Sequence, residues 1–167
     1  MGEVTVRRAG VEDAAAIAFV QVTGWHEAYT GRMPQSILDG LDVDRSTRGW
    51  HRVLEGDTDP ERGELWVAER DGEVIGFVAS GGNRDDDALA DSREVYAIYV
   101  LAAHYGSGAG QSLLDAAIGD HPASLWVLED NPRARAFYAR NGFVADGAVK
   151  DDDQWGEPIR EVRLVRA

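Results

Sequence analysis

The chain opens on an alternation of apolar and polar residues, EVTVRRA, which predicts a first β-strand. From about Glu12 the rhythm changes: Ile17, Val20, Trp25 and Tyr29 recur at helical spacing, with Gly24 marking a break point and Gly31 a terminator. MPQSILDGL, opened near Pro34, and DRSTRGWHRVLEG, closed near Gly56, predict further helix, and DTDPERG a turn. ELWVAERDGEVIGFVASGG then reads as two strands folded around Asp71-Gly72, a strong hairpin signal. A polar loop, NRDDDALADS, leads to REVYAIYVL, a strand rich in β-branched and aromatic residues. Beyond the glycines at 106, 108 and 110, Leu113, Leu114, Ala117 and Ile118 form one helix face. SLWVL is a short buried strand. NPRARAFYARNG is a helix with Asn131 as its cap, Pro132 in its first turn and Gly142 at its end. FVADGAV and IREVRLVRA supply final strands around an acidic loop, KDDDQWGEP. Strands and helices so interleaved predict an α/β fold built on one mixed sheet.

Composition narrows the possibilities. A length of 167 residues favours one domain spanning 1–167 with a substantial core. No apolar run approaches the roughly 20 residues of a membrane span, and MGEVTVRRAG lacks an apolar signal core. The expectation is a soluble, cytoplasmic protein with no membrane partner. The absence of cysteine excludes disulfides, thiolate metal sites and a cysteine nucleophile. Histidines at 26, 51, 104 and 121 have no ligand spacing, so no metal is expected. A net charge of −13 opposes phosphate-mediated nucleic-acid binding and fits a cationic small molecule better. Lys150, the only lysine, sits beside the acidic run Asp151–Asp153, which argues against Schiff-base chemistry.

The stretch HYGSGAG can be tested against known anion-binding patterns. From Gly106, both the P-loop and the dinucleotide fingerprint require a glycine where Gln111 stands, and no lysine follows. A structural tight turn remains one alternative. The other is the coenzyme A loop of the GNAT superfamily of N-acetyltransferases, which YGSGAG (Tyr105–Gly110) resembles except at its first residue. The stretch LWVLEDNPRARAFYARNGF resembles the second signature of that family, with Asn131, Ala134, Phe137, Tyr138, Gly142 and Phe143 all in place. The two signatures stand in the expected order, each on a strand–helix unit.

This resemblance implies a GNAT fold: a mixed, mostly antiparallel central sheet of about six to seven strands flanked by about four helices. It implies acetyl-CoA as cosubstrate and a primary amine, on a small molecule or a peptide N-terminus, as acceptor. A homodimer is compatible with it. Ile98, Tyr99 and Val100 would line the pantetheine arm, and Tyr105, Gly106, Ser107, Gly108, Ala109 and Gly110 the pyrophosphate, with Asn131 nearby. Tyr105 stands where the family carries Arg or Gln. Between Glu94 and Pro132 there is no Lys or Arg, so backbone N–H groups and a helix N-terminus must hold the phosphates. Tyr138 corresponds to the tyrosine that protonates the leaving thiolate. Glu94 corresponds to a glutamate general base, and regular alternation would place it on one face with Tyr96, Ile98 and Val100. Trp25, Glu27 and Tyr29 would line the acceptor pocket. The late signature is also similar to enzymes acetylating ribosomal-protein N-termini, although Trp126 stands where those carry a glutamate. The rival function is a coenzyme A-binding regulatory module, catalytically weak or inactive.

Overall fold

Asp71 and Gly72 both take positive φ, 53° and 82°, the backbone that a two-residue hairpin turn requires. They join β2 (Glu64–Arg70) to β3 (Glu73–Gly82) as predicted. The computed structural model describes residues 2–56, 63–153 and 158–167. The predicted turn DTDPERG, apart from Gly63, and the 154–157 part of the acidic loop lie outside them.

Around the hairpin a seven-stranded sheet forms in the order β1-β2-β3-β4-β5-β7-β6. The remaining strands are β1 (Thr5–Arg8), β4 (Arg93–Val100), β5 (Ala123–Leu128), β6 (Val144–Asp152) and β7 (Ile159–Arg166). Every adjacent pair is antiparallel except β4 with β5. This is the mixed, mostly antiparallel sheet expected. Strand β6 extends through Asp152, so Lys150–Asp152, expected in a loop, belong to a strand. Pairing with Ile159–Glu161 of β7 outweighs the weak strand preference of the charged run.

Five helices accompany the sheet rather than about four: α1 (Ala14–Tyr29), α2 (Gln35–Asp39), α3 (Val43–Leu54), α4 (Ala109–Ile118) and α5 (Pro132–Arg140). The stretch between α1 and β2 folds as two of them, α3 being capped by Asp42, which accepts from the Arg45 N–H at 2.8 Å. Gly24 does not break α1. It is buried against Tyr99, whose ring lies 3.2 Å from where a Cβ would stand, so the missing side chain permits close helix–strand approach.

The two sheet faces bury different clusters. Val95, Leu113, Leu114, Ile118, Leu125, Tyr138 and Phe143 form a core on the α4/α5 side. Ile17, Val20, Val67 and Phe77 form another on the α1/α3 side, with Trp50 and Leu54 against them. A third cluster, Tyr29, Ile37, Leu38, Leu128 and Ile159, seats the end of α1 and the following α2 on β5 and β7. No helix among the described residues is long and apolar enough to cross a membrane.

Candidate functional site

Strands β4 and β5 are partners only through Arg93–Ala123, Glu94–Ser124 and Val95–Leu125. The cause lies in β4. Ala79 of β3 faces Ala97 while Ser80 faces Val95, so Tyr96 is an extra residue, and such a bulge bends its strand. From Tyr96 to Val100, β4 is paired on its β3 side alone, and peptide groups on the other side face a gap. The gap opens a cleft of about 650 Å3. It is lined by Tyr96–Val100, by Leu125–Leu128 of β5, and by residues of α1, α4, α5 and β7.

One mouth of the cleft suits an anion. Gly106 and Gly108 have φ of 78° and 88°, and nothing lies within 4 Å of where either Cβ would be. The loop therefore exposes backbone immediately before α4, whose first amides have no intrahelical partners and carry partial positive charge. Tyr105, Gly106, Gly108, Ala109 and Gly110 line the cleft. Ser107 does not; its hydroxyl accepts from the Ala109 N–H at 3.3 Å. His104 Nδ1, beside this loop, is buried without a hydrogen-bond partner among the described residues.

The expectation that only backbone groups serve this mouth is corrected by α5. The Arg133 guanidinium stacks on the Tyr105 ring, 3.5 Å from its centroid, and both side chains line the cleft. The cation absent from the loop arrives from a helix more than twenty residues later, a tertiary contact invisible in local sequence.

At the centre, α5 holds Tyr138 in place. Asn131 caps the helix by accepting from the Ala134 N–H at 3.2 Å, and Pro132 occupies its first turn. The Tyr138 ring packs against Phe137 and Phe143 at 5.3 and 5.8 Å. Burial pushes its hydroxyl well above the ordinary tyrosine value, leaving it a proton donor. Tyr99 is pushed up for the same reason, and its hydroxyl lies 3.5 Å from that of Tyr29. Asn131, Tyr138, Ile98, Tyr99 and Val100 all line the cleft.

The other end of the cleft carries an aromatic pair and apolar walls beside two acidic side chains, Asp152 and Glu161. Trp25 and Tyr29 meet edge to face at 5.2 Å, and Met33, Leu128 and Ile159 complete the walls. Glu27, expected with them, is not among the lining residues. Its carboxylate accepts from the Ala102 N–H at 3.1 and 3.3 Å, because two residues of helix turn it about 200° away from Trp25 and Tyr29, towards the segment after β4.

Glu94 is likewise placed elsewhere. It is 2% exposed and accepts from Arg84: the backbone N–H at 3.0 Å, Nε at 3.2 Å and Nη2 at 2.7 Å. It does not line the cleft. The regular alternation expected of β4 fails at the Tyr96 bulge. Val95, Ile98 and Val100 face the α4 side, whereas Ala97 and Tyr99 face α1. Glu94, opposite in sense to Val95, is therefore on the other face from Ile98 and Val100.

Two carboxylates not anticipated, Asp152 and Glu161, do line the cleft. The one available signal was Glu161 at every-second spacing from Ile159 in β7, which needs the strand's buried face to be known. No group of three His, Cys, Asp or Glu side chains placed to hold a metal occurs among the described residues.

Residues 61–145 match the family model described as an acetyltransferase (GNAT) domain. The chain is 34% identical over 137 residues to an uncharacterized N-acetyltransferase of Bacillus subtilis, covering 77% of this chain and 74% of the relative. It is 29% identical over 148 residues to a probable N-acetyltransferase of Mycobacterium tuberculosis, covering 86% and 82%. Its fold is similar to that of the PaiA N-acetyltransferase of Thermoplasma acidophilum, solved in complex with coenzyme A: TM-score 0.69, 17% identity, 98% of each chain covered.

Proposed function

Because this chain belongs to the GNAT family of N-acetyltransferases, we propose that it transfers an acetyl group from acetyl-coenzyme A to a primary amine, on a small molecule or a peptide N-terminus. The observation that carries this reading is the continuity of the cleft. One cleft is lined by the glycine loop, by the unpaired side of β4 and Tyr138, and by Trp25 and Tyr29.

In this reading the loop Tyr105–Gly110 and the first turn of α4 receive the pyrophosphate through backbone N–H groups. Arg133, stacked on Tyr105, supplies the cationic contact. The half-paired segment Ile98–Val100 offers its free peptide groups to the pantetheine arm as an added strand would, and Asn131 stands beside it while capping α5. The cosubstrate supplies an activated thioester. No cysteine exists to carry an acyl group, so the amine attacks directly in a ternary complex. Tyr138, a protonated phenol in the cleft wall, donates to the departing thiolate. Glu94 has its carboxylate occupied by Arg84 and holds that loop to the sheet; proton removal from the amine falls to another group. The rival reading, a regulatory module without catalysis, drew on the missing loop cation, and Arg133 removes that support.

Thiol release from acetyl-coenzyme A across a panel of primary amines tests the proposal. Amine-dependent release at catalytic rates is expected. Calorimetric binding of coenzyme A with no release for any amine would favour the regulatory module instead.

A further inference from the structure

We infer that Glu161 is the carboxylate that receives the ammonium group of the acceptor, and that this acceptor is a compact primary amine on an apolar or aromatic body. The inference rests on the cleft being an acetyl-transfer site.

The register places the side chain. Glu161 faces Leu128 of β5 and Lys150 of β6 across its strand neighbours, and directly opposed residues share a face. Ile159, two residues away, shares it as well. Glu161 therefore projects into the aromatic mouth, whose lining includes Trp25, Tyr29, Met33, Leu128 and Ile159. Among the described residues no hydrogen bond or ion pair holds its carboxylate.

The other charged and titratable groups around it are accounted for. Lys150 has its ammonium over the Trp126 ring, 4.4 Å from the centroid. It favours the ionised carboxylate, whereas Asp152 disfavours it and burial disfavours it most, so the Glu161 carboxyl is pushed above its ordinary value. Tyr29 feels this charge from α1, and α2 contributes only the apolar Ile37 and Leu38 to the cluster below. A partly desolvated carboxylate with no hydrogen-bonding partner is costly in the free protein. A bound ammonium offsets that cost, and the rings of Trp25 and Tyr29 add a cation-compatible surface. The apolar walls accept a hydrocarbon or aromatic body; a strongly hydrated polyol would leave its hydroxyls unpaired there.

Within the transfer reaction the same contact sets the route of the proton. An ammonium N–H proton passes to Glu161, and the freed nitrogen lone pair forms the C–N bond to the thioester carbonyl carbon. The C–S bond breaks, and the thiolate takes the Tyr138 proton. The nitrogen of the new amide gives its second N–H proton to the Tyr138 phenolate, which restores the hydroxyl, and Glu161 loses its proton to water.

The test is calorimetric titration of the full chain, saturated with coenzyme A, with 2-phenylethylammonium and n-butylammonium against 2-phenylethanol and n-butanol. The wild type is expected to prefer each ammonium over its alcohol by about tenfold or more, the scale of one charge-assisted contact. Glu161→Gln should abolish that preference while coenzyme A affinity stays unchanged. Lys150→Ala provides a second variant: removing the neighbouring cation should move the pH midpoint of ammonium binding upward. Equal binding of ammonium and alcohol by the wild type would overturn the inference, as would a preference that survives Glu161→Gln. If the preference behaves as expected yet no bound amine releases thiol, the Glu161 site stands and the acetyl-transfer reading falls.

Discussion

Burial raises the Tyr138 hydroxyl above the ordinary tyrosine value, so it is unsuited to act as a phenolate nucleophile; its place in the cleft lining, not the shift, makes it the candidate proton donor. Tyr138→Phe preserves the packing against Phe137 and Phe143 and removes only the donor. Turnover should fall about a hundredfold, the lower end of general acid contributions, with coenzyme A affinity unchanged. Steady-state kinetics beside calorimetry separates the two effects, and unchanged turnover would end the acid role. Arg133 makes a different kind of contribution. Its guanidinium is preorganised on the Tyr105 ring, so Arg133→Ala should raise the coenzyme A Kd by about tenfold. Tyr105→Phe keeps the stacking surface and should change it little.

At the level of elements, the glycine loop is both a binding surface and a backbone constraint. Gly108 sits in the left-handed region immediately before α4, with open space around it. Gly108→Ala therefore acts through conformation rather than collision. It should cost about 1–2 kcal/mol of stability, seen as a lower thermal midpoint, and weaken coenzyme A binding as the loop amides shift. How much of this was legible beforehand depends on how local each device is. The Asp71-Gly72 turn, the Asn131-Pro132 cap and the glycine loop are encoded within a few residues, and each forms where the pattern placed it. The face of Glu94 was not legible, because the bulge at Tyr96 exists only in the pairing of β4 with β3. Nor was Arg133 over Tyr105, which depends on α5 packing beside α4. Glu27 and Glu161 exchange expectations for the same reason. Nearness to Trp25 in sequence marked the first, whereas the buried face of β7, fixed by its pairing with β5 and β6, selects the second.

On the scale of the whole molecule, 17 basic and 30 acidic side chains leave a net charge of −13. A field of that sign concentrates cations and repels anions, and salt screens it with a decay of about 10 Å at 0.1 M. For an ammonium acceptor, kcat/KM should fall as ionic strength rises, and the steady-state salt series checks this; an increase would mean that the field does not guide the acceptor. The same field opposes a cosubstrate rich in phosphate, which gives the backbone cradle and Arg133 their importance at the opposite mouth. The sheet resolves the conflict through its geometry. The parting of β4 from β5 lets one passage join a phosphate-compatible mouth on the α4/α5 side to a carboxylate-lined mouth at the end of α1.

In the proposed reaction an amine is acetylated directly at this junction. The most direct measurement is acid-quenched single turnover with acetyl-coenzyme A and a primary amine, followed by mass analysis of the products and of the intact protein. The predicted result is N-acetylated amine and free coenzyme A in equal amounts, with no acetyl group on the protein when the amine is omitted. Acetylated protein formed without amine and then consumed by it would contradict direct attack, and coenzyme A released without any acetylated amine would contradict the transfer itself.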